Sequence, residues 1–145
     1  MKSIKLCIAA MAASVSALGS RGQFNPDKIF GQGDAYEAKF KEAHHAERLS
    51  RGLSAMEEKF MTTDVDHFNN TDTRTFQMRY LIDQGSYNET SGPILFYAGN
   101  EGGIMAFYEN SGFMTKTLAE SLNATVVFAE HRFYGKSMPF GNNTF

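Results

Sequence analysis

Residues 93–129 read Pro-Ile-Leu-Phe-Tyr-Ala-Gly-Asn-Glu-Gly-Gly-Ile-Met-Ala-Phe-Tyr-Glu-Asn-Ser-Gly-Phe-Met-Thr-Lys-Thr-Leu-Ala-Glu-Ser-Leu-Asn-Ala-Thr-Val-Val-Phe-Ala. The run from Pro93 to Ala98 is apolar throughout, short and bounded by glycine, the pattern of a strand covered on both faces. Gly99 to Gly103 follows as a glycine-rich loop. A helical face then runs through Phe113, Thr117, Leu118 and Leu122, with an irregular start at Gly112. Asn123 and Ala124 turn the chain. Thr125 to Ala129 is rich in β-branched residues and reads as a second buried strand. Strand, glycine loop, helix and strand make a βαβ unit, which predicts parallel pairing and a right-handed crossover.

Upstream, Thr73 to Ile82 alternates Phe76, Met78 and Tyr80 with Thr75, Gln77 and Arg79. A period of two predicts a half-buried strand at an antiparallel edge. Between it and Pro93, Asp83 to Gly92 is dense in turn formers and reads as an exposed loop. The fold class is therefore α/β: antiparallel edge strands, then a βαβ unit, in a sheet that remains incomplete. Residues 62–145 form the folded part. Residues 20–61 are polar and charged, with helix formers from Ala35 to Phe60 and a weak apolar stripe at Tyr36, Phe40 and Ala43. They read as a propeptide or flexible leader. His44 and His45 lack a nearby carboxylate or thiol at ligand spacing, and a solvated pair fits them better than a metal site.

The first nineteen residues have another texture. Lys2 and Lys5 precede an apolar run from Leu6 to Leu18, and small residues at Val15, Ala17 and Gly19 suit cleavage after Ala17 or Gly19. That is the layout of a secretory signal peptide, too short for a spanning helix, so no membrane attachment is expected once it is removed. Cys7 falls inside it. Asn69, Asn88, Asn123 and Asn142 each have Thr two positions on, which makes them N-glycosylation candidates and supports the secretory route. A net charge of -2 with no Lys/Arg tract excludes an electrostatic nucleic-acid footprint. No zinc spacing or phosphate loop calls for a metal or cofactor.

In open α/β sheets functional groups gather beyond the carboxyl ends of the parallel strands. Two segments occupy that edge here. Asn100, Glu101, Gly102 and Gly103 form a loop whose amides suit an oxyanion or a close substrate, or simply a tight strand-to-helix turn. Glu130, His131, Arg132 and Tyr134 follow the second buried strand. They form either a base with its orienter or a hydrogen-bonded network that holds loops together; without a nucleophile nearby, the network is the better reading.

These segments also carry a resemblance. Phe96-Tyr97-Ala98-Gly99-Asn100-Glu101-Gly102, Asn110-Ser111-Gly112-Phe113 and Val127-Phe128-Ala129-Glu130-His131-Arg132-Phe133-Tyr134-Gly135-Lys136-Ser137-Met138-Pro139-Phe140-Gly141 closely resemble the serine carboxypeptidase S28 family, a group of lysosomal Pro-X carboxypeptidases and dipeptidyl peptidases. Val65-Asp66-His67-Phe68-Asn69 and Phe76-Gln77-Met78-Arg79-Tyr80 look like that family's first strands. The resemblance implies an α/β-hydrolase core and a helical cap domain inserted later in the chain. It also implies a Ser-Asp-His triad, no cofactor, and peptide substrates with proline near the scissile bond. It is compatible with a homodimer and places the protein outside the cell or in the lysosome. The family's nucleophile motif, Gly-X-Ser-X-Gly, is absent from these 145 residues: Ser137 has Gly135 before it but Pro139 after it. No catalytic residue is therefore expected in this chain, its triad being expected downstream, and the chain alone is expected to be inactive. Gly103 departs from the Asp that close relatives usually carry. Two other readings stay open: a secreted binding or regulatory protein without catalysis, and an esterase-type hydrolase on the same fold.

Overall fold

A computed structural model describes residues 6–8, 33–88 and 91–143 of the chain. Its strands are β1 (Leu6–Ile8), β2 (Glu57–Asp64), β3 (Thr75–Asp83), β4 (Ile94–Tyr97) and β5 (Thr125–Ala129). Helix α1 spans Asp34–Ser50 and α2 spans Ile104–Asn110. A π-helical turn, Phe113–Leu118, leads into the single-turn α3 (Ala119–Leu122), and a 3₁₀ turn covers Gly141–Asn143.

The sheet is mixed, in the order β1-β4-β5-β3-β2. β4 and β5 pair in parallel with Ile94 opposite Thr125 and Tyr97 opposite Phe128, as the βαβ pattern requires. β3 lies antiparallel to both β5 and β2. It is thus an inner strand, and β2 forms the edge. The alternation in β3 locates the strand correctly but misjudges its polar face. Phe76 is buried, and so are Arg79, Leu81 and Asp83, because α1 and α2 cover the side that Arg79 shares with Leu81. Asp83 is the last residue of β3 and is buried, so it does not belong to an exposed loop.

The core gathers Leu81, Leu95, Ile104, Met105, Tyr108, Met114, Ala119, Ala124, Val126 and Phe128. Each large apolar side chain placed here contributes about 1.5–3 kcal/mol relative to exposure. Tyr97 stacks on Phe128 at 4.7 Å between ring centroids, and Tyr108 meets Phe128 edge-on at 5.2 Å. From Phe113 to Leu122 the buried helical face is Met114, Thr115 and Ala119, with Leu118 packed partly against it. Phe113 and Leu122 are exposed instead. A π turn widens the helical repeat, so the apolar face slips relative to a 3.6-residue count.

The structure also differs in the stretch before β3. The boundary at residue 61 falls inside β2, whose residues 57–60 pair with Arg79 to Ile82. The charged run ahead of it, read as a propeptide or flexible leader, is helical over residues 34–50 and buries Glu37, His44 and Arg48. Residues 65–69, read as strand-like, form the turn after β2, with Phe68 98% exposed. The expected signal cleavage near residues 17–21 lies outside the described residues, whereas Leu6–Ile8 adds a short parallel strand beside Ile94 to Phe96. Among the described residues no helix is long and apolar enough to cross a membrane.

Candidate active site

Both loops expected to carry the chemistry leave the same edge of the sheet, beyond the carboxyl ends of β4 and β5. Gly99, with φ +83°, takes β4 out of the sheet. A Cβ there would lie 2.6 Å from the Ala129 carbonyl oxygen and 2.8 Å from the His131 nitrogen, so only glycine lets the two exits run side by side. The next residues close a tight turn. Gly102 N–H donates to the Asn100 carbonyl (2.8 Å), and Glu101 N–H donates to Asn100 Oδ1 (2.8 Å). Asn100 and Glu101 face solvent, Gly102 is buried, and Gly103 begins α2.

Glu130 ties this loop to the one after β5. Its residue is only 2% exposed. Oε1 accepts Ile104 N–H (3.0 Å), Arg79 Nε (3.1 Å) and Arg79 Nη2 (2.5 Å). Oε2 accepts Lys136 N–H (2.9 Å) and the Ser137 hydroxyl (2.8 Å). Ser137 Oγ in turn accepts Arg79 N–H at 2.9 Å. Five donors on one carboxylate explain how a charge survives burial here. They also hold the loop in an uncommon shape: Phe133 sits at φ +71°, and a Cβ at Gly135 would collide with Glu130 Oε1.

Around the far side of Arg79 stand two more carboxylates. Glu37 Oε2 and Oε1 accept Nη1 (2.7 Å) and Nη2 (3.1 Å), and Glu58 Oε1 accepts Nη1 (3.1 Å). Lys136 and Lys41 each donate to Glu58. Burial opposes the charge on Arg79, but the bonds to Glu130 and Glu37 outweigh it and hold the guanidinium above its ordinary pKa. Burial likewise opposes the Glu58 charge, and its bonds to Lys41, Arg79 and Lys136 nonetheless lower its pKa to about 2.

The expected Glu130–His131–Arg132–Tyr134 cluster divides. Glu130 points inward. His131 is exposed; its Nδ1 meets the Arg132 carbonyl at 2.7 Å and its ring lies edge-on to Tyr134 at 5.5 Å. Arg132 reaches back to the Val65 carbonyl (2.8 Å) and lies over the Phe76 ring. The local Tyr134–Ser137 bridge closes the turn. Among the described residues no hydroxyl or thiol is hydrogen-bonded to the His131 ring, whose Nδ1 meets a backbone carbonyl, and Ser137 is held between Glu130 and the Arg79 amide. Among the described residues this arrangement joins the two loops through Glu130, Arg79 and Ser137.

A second buried polar cluster sits toward the other end of the sheet. Asp83 accepts Tyr108 O–H at 2.6 Å, the Arg48 guanidinium, and Gly85 N–H at 2.9 Å. His44 Nε2 lies 3.3 Å from the same tyrosine oxygen. His44 is thus buried against Tyr108 and Phe40 rather than solvated, and burial lowers its pKa. Among the described residues no group of three or more His, Cys, Asp or Glu is placed to hold a metal. Of the sequon asparagines, Asn69, Asn88 and Asn123 are exposed; the side chain of Asn142 is outside the described set.

Sequence reasoning missed Arg79, Glu37, Glu58 and Ser137. One signal was available: Glu37, Lys41, His44 and Arg48 recur at spacings of four, three and four, a single helix face built of charge.

Residues 63–145 match the serine carboxypeptidase S28 family. The chain is 53% identical over 81 residues to mouse lysosomal Pro-X carboxypeptidase, which covers 56% of this chain and 16% of that protein. It is 50% identical over 96 residues to prolyl carboxy peptidase like protein 5 of Caenorhabditis elegans, covering 66% and 18%. With mouse thymus-specific serine protease the identity is 33% over 107 residues, covering 71% and 21%. The match therefore spans only about a fifth or less of each of these relatives.

Proposed function

The chain belongs to the serine carboxypeptidase S28 family, and from that premise we propose that it builds one edge of the active site of a proline-directed serine exopeptidase of the secretory or lysosomal route. In this reading the strands belong to an α/β-hydrolase core. The loop Asn100 to Gly103 borders the substrate carbonyl and its oxyanion. Glu130 and Arg79 keep that loop in place. A serine outside these 145 residues attacks the carbonyl, a histidine carries the proton to the leaving group, and an aspartate orients the histidine. His131 takes no part in proton transfer, in keeping with its exposed position and the backbone carbonyl that meets its Nδ1.

The observation that carries this reading is the hydrogen bond from Ile104 N–H to Glu130 Oε1. It locks the glycine loop after β4 to the loop after β5, and catalysis of acyl transfer depends on such donors being fixed before charge develops. The test is made on the natively expressed protein that carries these residues. It should react with a fluorophosphonate, and it should release either the residue after a penultimate proline or an X-Pro dipeptide. A folded native product with neither label nor turnover overturns the proposal.

A further inference from the structure

Gly103 begins α2 with φ −65° and ψ 130°, backbone angles open to any residue. What matters at this position is therefore space and not conformation. A Cβ at 103 would sit 3.9 Å from Arg79 Nη2 and 3.9 Å from Glu37 Oε1. Any longer side chain would enter the gap where Glu37 meets Arg79.

Glu37 comes from α1, a separate element, and it grips both Nη atoms of a guanidinium with 0% exposure. The surrounding charges balance: Glu37, Glu58 and Glu130 face Arg79, Lys41 and Lys136. Removing the Glu37 charge takes one acceptor from each Nη atom and leaves the cation to Glu58 and Glu130, whereas adding a carboxylate at 103 puts a fourth anion beside three. At its other end α1 is anchored again, by Arg48 on Asp83 and Ser54.

We propose that the cleft between Gly103 and Arg79 is a docking socket for α1, occupied by the Glu37 carboxylate. Residues 34–50 are then a fixed member of the domain, not a leader that comes away, and they form one wall beside the glycine loop. The socket accepts a single carboxylate. Glu37 and an acidic side chain at 103 are alternatives that exclude each other.

The test follows tryptic cleavage at Lys39 and Lys41 under native conditions in the complete protein, since cutting within a helix reports its local opening. Glu37→Gln and Gly103→Asp are each expected to speed cleavage at least about tenfold. The double variant should return to within about threefold of the parent, because the carboxylate introduced on α2 then replaces the one removed from α1. Gly103→Ala should behave as the parent, its Cβ being in ordinary contact. Cleavage of Gly103→Asp at the parental rate, or a double variant no slower than the singles, overturns the socket. Where Gly103→Asp stops the protein accumulating, recovery in the double variant supports the proposal and failure to recover overturns it.

Discussion

Arg79 and Glu130 meet across the β3–β5 boundary with neither side chain exposed, and the guanidinium delivers both Nε (3.1 Å) and Nη2 (2.5 Å) to one carboxylate oxygen. The same boundary is closed by the backbone, where Glu130 N–H donates to the Arg79 carbonyl at 3.0 Å. This pair joins strand, helix start and loop in one place, so its loss should be felt in both stability and loop geometry.

Glu130→Gln is expected to destabilise the protein by about 3–5 kcal/mol, since it removes the one fully buried carboxylate of the three that face a buried guanidinium. His131→Gln should stay within about 0.5 kcal/mol, because the ring is exposed and meets only a carbonyl and a tyrosine edge. Denaturant melts of the complete protein measure both. Equal losses from the two substitutions would show that the segment after β5 acts as one network through all its side chains.

Tyr108→Phe removes a 2.6 Å donor from Asp83 while keeping the ring against Phe128. An expected cost of about 1–3 kcal/mol reflects a buried carboxylate oxygen left short of a partner. Combining it with Arg48→Met should give less than the sum, because Asp83 is then the shared loss. Strict additivity in thermal melts would mean that Arg48 and Tyr108 act independently of Asp83.

Much of this architecture is legible in the residues alone. The apolar runs at Leu95 and at Val126 to Phe128 give β4 and β5, and the glycine loop between them gives the parallel connection. The role of charge is not legible in the same way. Hydrophobic periodicity weighs Glu37, His44 and Arg48 as solvent-facing, yet each finds a buried partner on another element. Such a helix carries only a weak apolar stripe because much of its inner face is satisfied by polar partners, Arg79 and Asp83 on β3 and Tyr108 on α2. Arg79 reads as belonging to the open face of β3 for the same reason: alternation fixes which residues share a face but not what will cover it. The π turn at Phe113 to Leu118 shifts the helical face by a repeat that no 3.6-residue template anticipates.

Gly99→Ala should harm the glycine loop more than any nearby single methyl. Its φ of +83° disfavours a side chain, and the new Cβ would lie 2.6 Å from the Ala129 oxygen, a backbone atom that cannot swing away. A loss of about 1–3 kcal/mol is expected from strain alone. Unchanged melting in the complete protein would show that the two strand exits can separate freely.

The proposed secretory route predicts a mark on exposed asparagines. Asn69, Asn88 and Asn123 are exposed, and Asn123 holds a left-handed turn (φ +51°) at the end of α3. Protein made in a secretory host should lose mass on treatment with an N-glycosidase, and substitution of each asparagine by Gln should remove one step of that loss. Secreted material of unmodified mass would argue against this route.

His44 should make stability depend on pH between neutrality and mild acid. Burial is the main reason its pKa is lowered; Asp83 and Glu47 oppose that shift, while Arg48 and Lys116 reinforce it, and Tyr108 meets its Nε2. Unfolding returns the ring to water, where it takes a proton near pH 6.5. Between there and the lower folded value the unfolded chain binds more protons than the folded one, so stability falls as pH falls through that window. Glu58 acts in the same sense but further down. With a folded pKa of about 2, its contribution is complete above about 4.5 and fades only below it. Melting temperatures at about pH 7.5 and about pH 5 therefore isolate the histidine. The parent should lose more melting temperature over that interval than His44→Gln, and the two should converge once the medium is acid enough to protonate the folded ring. A His44→Gln variant with the parent's full pH dependence would place the titrating group elsewhere in the protein.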